Sequence, residues 1–129
     1  MQSAAQLWDL YEEWKRLTEA EGAAILTSDW PEVRRCQNNK KQLQPQIIRL
    51  TQVTKAECSS PAEIEQIDTQ VRSYVNELIQ LETRNNGVLQ GRLELLAQER
   101  FEINRTASRL RQIHKSYVPP RDAVWDRYS

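Results

Sequence analysis

Glycine, histidine and cysteine are all scarce in this 129-residue chain, with three Gly, one His and two Cys. Each scarcity excludes something. Gly22, Gly87 and Gly91 are too scattered to form a phosphate-cradling loop after a strand. His114, between Ile113 and Lys115 on a late helical turn, reads as a helix-end or core residue rather than a metal ligand or general base. Cys36 and Cys58 have neither CxxC spacing nor a histidine at ligand spacing, which argues against zinc. With no signal-peptide pattern they are expected to be free thiols in a reducing compartment, so the chain is expected to be soluble and cytoplasmic. No apolar run approaches the roughly 20 residues that cross a bilayer. The 18 basic and 18 acidic residues cancel, so no overall field favours nucleic acid or an anionic membrane. No catalytic residue, metal or cofactor is expected, and an enzyme is the weakest reading.

What the chain does contain is helical periodicity, almost from end to end. Leu7, Leu10, Tyr11, Trp14, Leu17, Ala24 and Ile25 form a stripe at steps of three and four residues, with Ser3 placed to cap its start. That segment ends near Thr27–Asp29. Asp29 and Glu32 then have capping-box spacing, with Pro31 in the first turn of a second helix. This helix carries Val33, Cys36, Lys40, Leu43, Ile47 and Leu50 on one face. Pro45 inside it removes a backbone donor, which predicts a kink near residues 39–44 rather than a stop.

Ser60-Pro61-Ala62-Glu63 is the clearest helix start: a Ser N-cap, Pro at the first helical position and Glu three residues after the cap. Ile64, Ile67, Val71, Tyr74, Leu78 and Leu81 continue a heptad-like seam from there. The seam resumes later with Val88, Leu89, Leu95, Leu96, Ile103, Leu110 and Ile113, runs to Tyr117, and stops at Pro119-Pro120.

Between the two halves of this seam lies Asn85-Asn86-Gly87-Val88-Leu89-Gln90-Gly91. Two Asn and two Gly within seven residues are poor helix formers, with each Gly costing about 1 kcal/mol against Ala. Either the helix breaks or bends here, or the backbone lies very close to something. Asn85, Asn86, Gly87 and Gly91 are therefore the expected structural hinge.

The expected fold class is all-α, an elongated antiparallel bundle of long helices. It has three helices if the third runs unbroken for about 80 Å, and four if the chain turns at Asn85–Gly87. Residues 1–117 are expected to form one domain and residues 118–129 a flexible tail, unusually apolar through Val124, Trp125 and Tyr128. Among the other tryptophans, Trp14 lies on the apolar stripe, Trp8 one position off it and Trp30 at a helix start.

With these segments placed, the chain resembles the flagellar export chaperone FlgN family. The carrier is the Asn85–Gly91 block, similar to that family's Asn-Gly-hydrophobic-Leu block, followed by a helix of matching length through Leu95, Leu96, Arg105 and Leu110. Leu26-Thr27-Ser28-Asp29-Trp30 and Lys40-Lys41-Gln42-Leu43 resemble the family's first connection and the Lys-x-x-Leu after it. The family often follows a tail tyrosine with Gly, whereas here Tyr117 is followed by Val118-Pro119-Pro120.

The resemblance implies a non-enzymatic, cytoplasmic chaperone of the flagellar type III export system. It would bind C-terminal helical segments of the hook–filament junction proteins FlgK and FlgL and deliver them to the export gate protein FlhA. On that reading Val88, Leu89, Leu95, Leu96, Ile103, Leu110 and Ile113 are the candidate cargo seam, unless they are ordinary bundle core. Tyr117 and Trp125 are the candidates for gate docking. The same seam also suits a homo-oligomeric coiled-coil adaptor or homodimer, and a chaperone of a related secretion system is a further alternative.

Overall fold

The computed structural model describes residues 2–117, with side chains through Lys115. The tail at 118–129, with Trp125, lies outside the described residues. Three helices follow in order: α1 (Gln2–Leu26), α2 (Trp30–Glu57) and α3 (Pro61–Tyr117). The fold is an all-α helical bundle with the long third helix; the chain does not turn at Asn85–Gly87. It divides into two compact units, Met1–Arg92 and Leu93–Ser129. The division falls within α3 and within the 1–117 span expected as one domain.

Local chemistry sets the helix boundaries. α1 ends in a Schellman motif. Ser28 takes a left-handed φ of 57°, its N–H donates to the Ile25 carbonyl, and the Asp29 N–H reaches back to Ala24. Asp29 then caps α2, its carboxylate accepting from the Glu32 N–H at 3.3 Å. α3 starts where the Ser60 hydroxyl accepts from the Glu63 N–H, while the Glu63 carboxylate accepts from the N–H and hydroxyl of Ser59. At the start of α1 the outcome differs from the expected cap. Ser3 lies inside the helix and its hydroxyl donates instead to Glu57 at the end of α2, 2.8 Å away. α2 continues as helix past Pro45, so the proline does not stop it.

Pairings in the first unit give the helix directions. Ser3 meets Glu57 and Glu21 meets Lys40, so α1 and α2 are antiparallel. Tyr11 stacks on Tyr74, and Thr18 meets Asn85, so α1 and the first part of α3 are parallel. Lys55 pairs with Asp68, and Lys40 with Glu82, so α2 opposes α3. The unit is an up-down-up bundle.

Its apolar core has two centres. Leu7, Tyr11 and Leu78 form one, flanked by Trp14, Ile47 and Val71. Trp8 joins it rather than standing apart, because its ring stacks on Tyr74 with centroids 5.5 Å apart and Tyr74 stacks in turn on Tyr11 at 5.1 Å. Ala24, Ile25 and Val33 form the second centre, flanked by Trp30, Val88 and Leu89.

Between the two centres lies a polar layer. Lys40, the one charged residue on the apolar face of α2, is buried. Its ammonium donates to Glu82 Oε1 at 2.6 Å and forms an ion pair with the buried Glu21 carboxylate at 3.1 Å. Glu82 Oε1 also accepts from the Thr18 hydroxyl and the Trp14 indole N–H. Charges at this depth need partners, and here all three helices supply them, with Glu21 Oε2 held by the ion pair to Lys40 and not by a hydrogen bond.

Candidate helix-docking surface

The Asn85–Gly91 stretch stays helical, so Asn85, Asn86, Gly87 and Gly91 are not a break in α3. The reason lies on the inner face of the helix. Asn85 is buried and its amide donates to the Thr18 carbonyl at 2.7 Å. Val88 and Leu89 pack on the second apolar centre, and the Arg92 guanidinium donates to the Ser28 hydroxyl at 2.7 Å. These contacts outweigh the roughly 1 kcal/mol per residue that Asn and Gly cost in a helix interior.

A close backbone approach does exist, but at another glycine. A Cβ built on Gly87 or Gly91 meets nothing within 4 Å, whereas one on Gly22 falls 2.5 Å from Asn85 Oδ1. Gly22 in α1 thus makes room for the buried Asn85 of α3. The signal for it in the sequence was a lone glycine in mid-helix, where Gly needs a packing reason.

The expected cargo seam separates into two parts. Val88 and Leu89 are half-buried and contribute to the bundle core. Leu95, Leu96, Ile103, Leu110 and Ile113 lie in the second unit and are exposed, Ile103 by 68%. Leu93 and Phe101 are exposed there too, although periodicity had not singled them out. Between Leu93 and Lys115 only Ala107 is even partly buried.

Helical geometry sorts these residues. Leu96, Ile103 and Leu110 recur at intervals of seven, drifting only about 20° per step around the axis, and Leu93 and Ala107 flank that line at helical spacing. Leu95 and Ile113, five full turns apart, share a direction about 80° off the line, and Phe101 faces another side. Leu93, Leu96, Ala97 and Arg100 border one continuous open depression with Glu99 and Ile103. Positions i, i+3, i+4 and i+7 are the four corners of the hole that receives a knob in helix–helix packing. Two such sets, starting at 93 and at 96, line this depression. The face is shaped for a facing helix.

Tyr117 is the last residue of α3, and its side chain, like Trp125, lies outside the described residues. A second concavity, of about 370 Å³, lies within the first unit over Tyr11 and Trp14, between Ile47 and Ile48 of α2 and Val75 and Ile79 of α3. The chemistry available elsewhere is limited. Among the described residues no group of three or more His, Cys, Asp or Glu converges as a metal set, and no helix is long and apolar enough to cross a membrane. Burial pushes the Cys36 thiol up from its ordinary value, away from the thiolate form that nucleophilic chemistry uses. Cys36 and Cys58 are both free.

Fold and surface together define a class: a helical bundle whose last helix offers an uncovered, heptad-spaced apolar face. Comparison with family models, with curated proteins and with solved structures finds no match.

Proposed function

We propose that the chain is a cytoplasmic export chaperone of a flagellar-type type III secretion system, holding a helical segment of its client on the face of residues 93–113. One observation carries the reading: Leu93, Leu96, Ile103 and Leu110 are exposed together on one helix, on a face with holes for knobs. A client segment that is disordered before assembly can fold against such a face by laying its own apolar stripe along it. The sequence resemblance names the clients as the C-terminal helices of FlgK and FlgL and the receiver as FlhA. Tyr117 and Trp125 are the proposed gate contacts.

Isothermal titration of the full chain with a FlgK C-terminal fragment is the direct test. Micromolar binding that Leu110→Asp weakens at least about tenfold supports the proposal. No heat and no complex at that concentration, with both proteins folded, defeats it. Deleting residues 118–129 is expected to spare client binding and weaken FlhA binding; equal loss of both assigns the tail a structural role.

A further inference from the structure

The charges on residues 93–115 of α3 are sorted along its length. Residues 93–103 carry Glu94, Glu99 and Glu102 against the single Arg100, whereas residues 104–115 carry Arg105, Arg109, Arg111 and Lys115 with no carboxylate. Side by side in the same direction, two copies of this helix would set like charge against like over both halves. In opposite directions, the acidic half of each copy faces the basic half of the other.

We infer that this face is a self-association surface, on which two copies of the chain pair antiparallel through residues 93–113. A two-fold axis beside Ile103 places Leu96 opposite Leu110 of the second copy. The second copy's Ala107 then meets the part of the depression between Leu96, Glu99, Arg100 and Ile103, which has the spacing of a knob-receiving hole. The interface is isologous, so it closes at two copies and does not propagate. Ala107 keeps the helices close, while Arg100 on the seam weakens the pair, which makes it reversible.

The inference stands apart from the export reading, since it uses only the chain itself. Its bearing on that reading is competitive: the second copy covers the face assigned to the client, and a client helix must displace it. The apolar face is thereby shielded when no client is present.

Sedimentation equilibrium of the full chain from about 1 to about 200 µM at low salt tests it. The mass is expected to rise from the 15.2 kDa of one chain toward twice that value. Ile103→Glu is expected to stay monomeric with an unchanged helical circular dichroism signal, because Ile103 is exposed in the single chain. Salt at about 1 M is expected to weaken association several-fold.

Direction is read from introduced thiols. Leu96→Cys mixed with Leu110→Cys should cross-link at least about tenfold faster than either variant alone, with the unaltered chain as the blank for Cys36 and Cys58. A mass of one chain at every concentration overturns the inference. So does a dimer that Ile103→Glu leaves intact, or cross-linking of Leu96→Cys with itself as fast as in the mixture.

Discussion

Replacing each glycine by alanine separates the ones that matter for packing from the ones that do not. Gly87 and Gly91 are helical and open at the Cβ position, so Gly87→Ala and Gly91→Ala are each expected to stabilise the protein by about 0.5–1 kcal/mol through helix propensity. Gly22→Ala receives the same propensity gain, but its new methyl would lie 2.5 Å from Asn85 Oδ1 and 3.3 Å from Asn85 Cγ. Asn85 must then move, and its amide loses the 2.7 Å bond to the Thr18 carbonyl. Losing a buried hydrogen bond and leaving the amide unpaired costs roughly 1–3 kcal/mol. The expected net effect of Gly22→Ala is destabilisation by about 0–2 kcal/mol, about 1–3 kcal/mol below Gly87→Ala. Urea denaturation of the three variants measures this. Adding Asn85→Ala to Gly22→Ala should remove the overlap and expose the propensity gain, a coupling of about 1–2 kcal/mol in the double-mutant cycle. If Gly22→Ala stabilises as much as Gly87→Ala, or the cycle shows no coupling, the close approach of α1 and α3 is wrong.

Three other outcomes are expected. Lys40→Met leaves the Glu21 and Glu82 carboxylates facing each other without their cation, and should destabilise the bundle by about 3–5 kcal/mol in urea denaturation, more than Glu82→Gln. The seam should split under substitution: Val88→Asp, against the second apolar centre, lowers stability by about 2 kcal/mol or more, whereas Leu110→Asp changes it by less than about 0.5 kcal/mol. Hydrogen bonds from the Ser59 N–H and hydroxyl hold the Glu63 carboxyl below its usual value, and Arg35 does the same for Glu32. A depressed folded-state value stabilises above the unfolded value and is lost as pH falls through the folded one. Stability should therefore decline on acidification below about pH 4.5, with a shallower acid limb in Glu63→Gln. At the alkaline end burial raises the Tyr11 and Tyr74 phenols, so absorbance at about 295 nm should show them titrating late, with stability falling as pH rises past the ordinary tyrosine value.

Much of the architecture was legible before any coordinates, and the reason is short range. The Asp29–Glu32 and Ser60–Glu63 caps, with Pro31 and Pro61 in the first turns, depend only on neighbours within a few residues, and both helices start there. The apolar periodicity of α1 and of the first part of α3 correctly named Leu7, Tyr11, Leu17, Ala24, Ile25, Ile67 and Leu78 as interior. Lys40 was also placed on the inner face by spacing alone, although its carboxylate partners were not foreseeable.

Other questions were decided by contacts between residues more than fifty positions apart. Local propensity leaves Asn85–Gly91 ambiguous between a break and a strained helix; the Asn85–Thr18 bond and the packing of Val88 and Leu89 on α1 and α2 resolve it as helix. The same separation explains why Gly22, and neither Gly87 nor Gly91, marks the close approach. It also explains why Val88 and Leu89 are core while Leu96, Ile103 and Leu110, on the same heptad line as Leu89, are exposed. Periodicity says which side of a helix is apolar. Only the tertiary structure says whether another helix covers it, because burial belongs to the pair of surfaces and not to the stripe.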